Sequence, residues 1–349
     1  MNTDKPQIDL RSDTCTLPTP EMRRRMADAE VGDDVYGDDP TISSLESYTA
    51  DLIGTEASLF VVSGTMANQI AIILATRPGD EVIVHKYAHP AHHEAGAVGA
   101  NAGVNLVVVS GEGGCIDVDE MESFIRPDEH YLAQTTMLMV ENTQNMAGGR
   151  VVPVEHMQTL YSRAKARNLT VHLDGARIFN ASIASGTPVR DFVACSDTVS
   201  FCLSKGLGAP VGSMLCGSKE TIRKARRVRT RLGGAWRQAG ILAAAGLYAL
   251  QTNIERLADD HRRAQTLVKA IEDFGVFSIT HPVDTNIIFM DTVQEGVPAG
   301  PQLEEALKRE GVLANAVSPQ GVRFVTHLGV TDEGIEHTID AIGRIVASG

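Results

Sequence analysis

Positive charge is in short supply in this chain: 31 Lys and Arg stand against 44 Asp and Glu, a formal net charge of −13. That balance argues against a general nucleic-acid binder, which needs a basic face to neutralise phosphates. It equally disfavours docking on an anionic membrane surface. No apolar run approaches the ~20 residues that a spanning helix requires. The stretch from Met1 to Asp9 is polar and lacks the basic-then-apolar layout of a signal peptide, so a cytoplasmic protein is expected. Cysteine is sparse and odd in number, with five residues (Cys15, Cys115, Cys195, Cys202, Cys216), no CxxC and no zinc-type spacing. Reduced thiols and no metal site are the expectation. There is also no GxxxxGK[ST], no GxGxxG after a strand, no internal repeat and no low-complexity segment.

What is present is a substantial apolar fraction, 43% of 349 residues, enough for two domains or one large domain with an appendage. Short apolar, partly β-branched runs read as buried strands: Glu81–His85, Met137–Glu141, Thr170–Asp174, Thr198–Leu203 and Ser213–Cys216. Helix-period segments alternate with them over Met66–Ala75, Met157–Arg167 and Lys219–Leu232. This alternation predicts an α/β domain with a mostly parallel sheet covered on both faces. A single long helical pattern runs from Gln238 to Glu272, and the domain division is placed there: residues 1–250 as an N-terminal arm and large domain, 251–349 as a small C-terminal α+β domain. In the latter, Thr285–Met290 and Gly321–Thr326 read as strands, and Pro301–Glu310 and Glu333–Val346 as helices.

Three features carry chemistry. Ser63-Gly64-Thr65 follows an apolar run and opens a helix, where free N–H groups and the positive dipole end suit a phosphate. Alone, it is also an ordinary helix cap. Asp174 closes a buried strand, where α/β sheets place ligand-binding groups; a salt bridge to Arg177 is the plainer alternative. Lys205 stands at the end of another buried strand, among glycines that allow close approach, where burial favours a nucleophilic free amine. A phosphate site, a strand-end carboxylate and a strand-end lysine together match the needs of pyridoxal 5'-phosphate: a Schiff base, a partner for the pyridine nitrogen and a phosphate cradle.

The chain resembles the threonine aldolases, members of the aspartate-aminotransferase-like (fold type I) group of pyridoxal-phosphate enzymes. The resemblance rests on Leu10-Arg-Ser-Asp-Thr14, Val31-Gly-Asp-Asp-Val-Tyr-Gly37, Ser63-Gly-Thr-Met66, Glu141-Asn-Thr143, His172-Leu-Asp-Gly-Ala-Arg177, Leu203–Ser213 and Gly233–Gly240, in order along nearly the whole chain. It implies a lyase that splits the Cα–Cβ bond of L-threonine, L-allo-threonine or related β-hydroxy-α-amino acids, reversibly, into glycine and an aldehyde. The alternative it leaves open is another pyridoxal-phosphate lyase (β-elimination or dehydration) or a racemase.

Carried over by position, Lys205 would bear the cofactor and Asp174 would hold its ring nitrogen. Gly64 and Thr65 would bind the phosphate, with Arg237 reaching in from a neighbouring subunit; Ser63, Arg177 and Ser204 would also bind the cofactor, and His89 would stack on the ring. Ser12, Arg177 and Arg323 would hold the substrate carboxylate, with Tyr36 supplied by a partner subunit. The resemblance thus implies a homo-oligomer, a dimer of dimers, acting on a small amino acid. It also marks departures. Gln144 stands where the family's hydroxyl-contacting histidine is expected, and an amide cannot take a proton near neutral pH. His92 and His93 stand where aromatics are common, and either supply a base, shape a more polar pocket or lie exposed at a helix start. Thr230 replaces a lysine, leaving Arg229 or Arg231 to keep the charge. Trp236, the single tryptophan, either narrows the pocket or fills an interface.

Overall fold

A computed structural model describes residues 7–348. Its strands, in chain order, are β1 (Ile8–Asp9), β2 (Ala57–Val61), β3 (Glu81–His85), β4 (Asn105–Val109), β5 (Thr135–Glu141), β6 (Thr170–Asp174), β7 (Thr198–Cys202), β8 (Ser213–Gly217), β9 (Phe277–Ile279), β10 (Ile287–Thr292), β11 (Val312–Leu313), β12 (Asn315–Ala316) and β13 (Gly321–Val325). The large sheet has seven strands in the order β2-β8-β7-β6-β5-β3-β4. All are mutually parallel except β8, which runs antiparallel to both β2 and β7.

Alternate residues of these strands feed two separate cores, as a period of two demands. Phe60, Ile83, Leu138, Val171, Val199 and Met214 enter one. Leu59, Val61, Val82, Val84, Met137 and Leu215 enter the other, beneath the helices Gly64–Ala75 and Lys219–Arg231. A sheet buried on both faces leaves only strand ends open to ligands. The carboxyl ends of β5, β6 and β7 deliver Glu141, Asp174 and the segment leading to Lys205 to one place.

The second body is a four-stranded antiparallel sheet, β12-β13-β10-β9, with the helices Leu257–Asp273, Gly300–Arg309 and Asp332–Ser348 packed against it. Its core, from Ala264 to Ile345, also takes in Leu10. The N-terminal segment belongs there because β1 lies parallel to β11 (Ile8 opposite Val312) and the Val325 N–H donates to Leu10 O at 2.8 Å.

The expected single helix from Gln238 to Glu272 is two, Gly240–Thr252 and Leu257–Asp273. Asn253 ends the first. Its Nδ2 donates to Leu207 O at 2.8 Å, and Arg256 Nη1 donates to Gly206 O at 3.4 Å, so the break is fastened to the loop that follows Lys205. Apolar spacing continues through the break, which is why periodicity alone reads it as one helix.

Candidate active site

The site begins with the helix Gly64–Ala75. Ser63 caps it, its Oγ accepting from Met66 N at 3.2 Å. The first N–H groups, those of Gly64 and Thr65, lie beyond helical hydrogen bonding and carry the positive end of the dipole. A Cβ on Gly64 would come within 3.0 Å of Cys202 Sγ, so the backbone here sits in a close cradle. Ser63, Gly64, Thr65, Ser204, Lys205, Asp174 and His89 line one cavity. A second cavity shares His89, Asp174 and Lys205 with it, and adds Ser12, His93, Glu141, Asn145, Arg177 and Arg323. The two are halves of one cleft.

Asp174 is 5% exposed, yet fully engaged: Oδ2 accepts from Asn68 Nδ2 at 2.8 Å and Oδ1 from Ala176 N at 3.1 Å. Asn68 Nδ2 also donates to Glu94 Oε1 at 2.8 Å, and Glu94 Oε1 meets His89 Nδ1 at 2.9 Å. Ligand atoms of His89, Glu94 and Asp174 therefore gather within 4.8 Å, bridged by one amide. Burial would discharge the His89 imidazole, but the Glu94 hydrogen bond and the charge of Asp174 outweigh it and raise its pKa above 6.5. Behind Asn68 lies His172, whose Nε2 faces Asn68 Oδ1 at 3.1 Å and whose Nδ1 faces Thr198 Oγ1 at 2.8 Å. A carbonyl oxygen only accepts, so Nε2 bears the proton and Nδ1 accepts from the threonine hydroxyl. Burial pushes the His172 pKa down to about 4.

In the other half, Arg177 is committed. Its Nε and Nη2 donate to the two oxygens of Asp13 at 2.6 and 2.8 Å, and Nη1 reaches Asn145 Oδ1 at 3.4 Å. Arg323, on β13, differs: Nη2 donates to Arg11 O at 3.2 Å, while its buried Nε has no partner among the described residues. A half-buried guanidinium with a buried, unsatisfied Nε in a cleft suits a carboxylate. Ser12 Oγ accepts from Thr14 N at 3.2 Å and caps the turn Asp13–Cys15 at the cavity edge.

Glu141 escapes a reading based on motifs alone. Its carboxylate accepts His89 N on Oε2 and Asn145 N on Oε1, each at 2.9 Å, and so holds both loops of the cleft. Burial, then the charge of Asp174 across the strand pair Glu141–Asp174, raises its pKa to about 7, against the opposing pull of those N–H donors and His89.

Other expected residues lie elsewhere within this chain. Gln144 is wholly buried and is not a lining residue: its Oε1 accepts from Met146 N and Ala147 N at 2.8 and 3.3 Å, capping the turn Asn145–Ala147. His93 lines the cleft, with its ring 5.5 Å from that of His89, whereas His92 turns away to Lys86 O at 2.6 Å. Tyr36 is 78% exposed, and Arg237 is exposed beside Asp33; neither lines the cleft of its own chain. Arg229 is buried against Asp34, and Trp236 stacks on Phe60 at 5.4 Å, so neither acts as a free group at the phosphate end.

The sequence matches the beta-eliminating lyase family over residues 9–295. It is 42% identical to the low specificity L-threonine aldolase of Escherichia coli (strain K12), across 93% of this chain and 95% of that one. It is 40% identical to a probable low-specificity L-threonine aldolase 2 of Arabidopsis thaliana, across 98% of each. Among solved structures, a threonine aldolase of Leishmania major superposes with a TM-score of 0.85 at 19% identity, covering 97% of this chain and 99% of the other. A Sphingomonas wittichii serine palmitoyltransferase superposes at 0.77 with 15% identity, covering 98% and 88%. At such identities the superpositions speak for the fold.

Proposed function

The chain belongs to the threonine aldolases of the beta-eliminating lyase family, and from that premise we propose how its cleft does the work. It is a pyridoxal 5'-phosphate-dependent lyase that cleaves the Cα–Cβ bond of L-threonine, releasing glycine and an aldehyde. L-allo-threonine and related β-hydroxy-α-amino acids are proposed as further substrates. The observation that carries the reading is the meeting of Lys205, Asp174 and the Gly64–Thr65 helix start in one cleft with Arg323.

The residues fit the cofactor. Gly64 leaves room where a Cβ would crowd Cys202, and the helix start offers N–H groups to a phosphate. Asp174, fixed by Asn68, suits a protonated ring nitrogen, and Lys205 offers its amine for covalent attachment. When bound, pyridoxal phosphate supplies an electron sink for the pair released as the Cα–Cβ bond breaks.

Everything else is work for this chain's side chains. Arg323, with its spare Nε, takes the substrate α-carboxylate, with Ser12 beside it. Fixing the carboxylate sets the bond that breaks, a use of binding energy for orientation. Arg177 contributes charge from behind rather than a free fork, because Asp13 occupies two of its nitrogens. His89, held by Glu94, keeps its ring over the cleft as a proton donor.

Tyr36 and Arg237 are exposed and can serve a cleft only from another copy of the chain, so we propose a homo-oligomer, a dimer of dimers, with shared sites. The division into units 1–250 and 251–349 is proposed with one amendment, that the N-terminal arm fastens to the second unit. No helix among the described residues is long and apolar enough to cross a membrane; a cytoplasmic location is proposed.

The test is direct. The cofactor-loaded protein is incubated with L-threonine, L-allo-threonine, both D isomers and L-phenylserine, and aldehyde and glycine are quantified together. Equimolar aldehyde and glycine from an L isomer supports the reading. Ammonia with a keto acid, or an epimer without aldehyde, defeats it.

A further inference from the structure

Retro-aldol cleavage needs a group that takes the β-hydroxyl proton, and the residue expected at the family's histidine position is a buried glutamine pointed into its own turn. The basic groups that line the substrate half of the cleft are Lys205, Asp174, His89, His93 and Glu141. Lys205 carries the cofactor, and Asp174 is set aside for its proposed role at the ring nitrogen. His89 is biased toward its protonated form and donates to Glu94. His93 sits at the exposed rim, its proton affinity lowered by partial burial and by His89, His92 and Arg323.

Of the groups that remain, Glu141 is the one that is buried, fixed and open to the cavity. Each of its oxygens accepts one backbone N–H, from His89 or Asn145, and keeps a further lone pair. We infer that Glu141 is the catalytic base that accepts the β-hydroxyl proton of the substrate.

The groups facing it are Asp174 from β6, His89 from the turn after β3, Arg177 with its partner Asp13, and Lys205 beyond β7. Asp174 lifts its proton affinity; His89 and Arg177 restrain the rise. The result, about 7, suits a base working near neutral pH. In the step, the O–H proton moves to Glu141, the oxygen's electron pair forms the carbonyl, and the Cα–Cβ pair stays with Cα. The Lys205 amine, which exchanges with water, then protonates Cα, and Glu141 returns its proton to water. Nothing is consumed beyond the substrate.

The inference rests on the aldolase reading, so the test separates the two. In Glu141→Gln, aldehyde formation from L-threonine is expected to fall roughly 10²–10⁴-fold. Exchange of a glycine α-hydrogen for solvent deuterium, which uses Lys205 and Asp174 but no hydroxyl, is expected to fall far less, losing only what the one missing acceptor for His89 N or Asn145 N costs. Independently, ¹³C-carboxyl NMR of the cofactor-free protein should contain a glutamate signal that titrates near 7 and disappears in Glu141→Gln. The inference is overturned by near-normal aldehyde formation, by an equal fall in both reactions, or by a Glu141 signal titrating in the ordinary carboxylate range. It is also overturned if His93→Phe, rather than Glu141→Gln, removes the pH limb near 7. A wild-type enzyme that makes no aldehyde sinks the aldolase reading instead, while the NMR titration still reports on Glu141.

Discussion

Asp13 and Arg177 face each other in a two-point ion pair, at 2.6 and 2.8 Å, with side chains 0% and 6% exposed. Burial alone would raise the Asp13 pKa, but the charge and hydrogen bonds of Arg177 hold it well below the usual carboxylate range. A depressed carboxyl pKa contributes stability above its unfolded value, near 4, and that contribution is lost as the pH falls below it. Asp13→Ala leaves a buried guanidinium unpaired and is expected to cost about 3–5 kcal/mol. Urea denaturation at pH 7 and pH 3 measures this: the gap between variant and wild type should shrink at the lower pH.

Removing the amine of Lys205 should remove covalent attachment. Lys205→Ala, mixed with pyridoxal phosphate, is expected to show the spectrum of the free aldehyde and to form no glycine from threonine. A Schiff-base absorbance persisting in that variant would relocate the attachment site.

Arg323 should govern the affinity for the amino acid's carboxylate. A charge-assisted hydrogen bond is worth roughly 1.5–3 kcal/mol, so Arg323→Ala should lower kcat/KM for L-threonine by about 10- to 100-fold. Most of the loss should appear in KM, with cofactor absorbance unchanged. Arg323→Lys should recover little, because a point charge does not reproduce the fork.

His172 sets a pH dependence of opposite origin. It is buried neutral, with a pKa near 4 against about 6.5 in the unfolded chain, so the unfolded state binds more protons between those values. Stability contributed by this group is therefore full above about 6.5 and lost as pH falls toward 4, a change on the order of 3 kcal/mol. His172→Gln should flatten that part of the stability-versus-pH curve. An unaltered slope would show that the imidazole is not the group responsible.

If Tyr36 and Arg237 complete a neighbour's cleft, specific activity should fall on dilution in step with dissociation seen by sedimentation. Mixing Lys205→Ala with Arg237→Ala subunits should restore activity through hybrid interfaces. An active monomer with both residues dispensable would refute sharing.

Much of this was legible before any coordinates. Asp174 and Lys205 stand out because a charged group at the end of an apolar strand has few ordinary reasons to be there. Arg323 was legible only through the resemblance, since an arginine in Val322-Arg-Phe324 is otherwise an ordinary strand residue. Glu141 was visible as part of a motif, but its work depends on strand register opposite Asp174 and on which backbone N–H groups its oxygens meet. The place of Gln144 is not legible for a related reason: an amide can cap its own turn as readily as face a substrate, and local geometry decides. The partner of Arg177 was hidden because Asp13 lies 164 residues away. The antiparallel course of β8 and the break at Asn253 leave no mark on hydrophobic spacing, which records faces and not directions.

The pairing of β1 with β11 sets an order of events during synthesis. Arg11 O accepts from Asn315 Nδ2 across 304 residues, so the beginning of the chain leaves the ribosome long before its partner exists. The large sheet, its lysine and its phosphate cradle can assemble from segments already made, and Asp13 can already meet Arg177, but Ile8–Leu10 have no strand partner until β11 and β13 emerge. Contacts this distant are slow to form and are made late. A nascent chain halted before Val312 would hold most of the cofactor's contacts but would lack both the strand pairing of the N-terminal segment and Arg323. Competence to react is therefore withheld until β11 and β13 have been made, and a product lacking them is a poor catalyst rather than a promiscuous one.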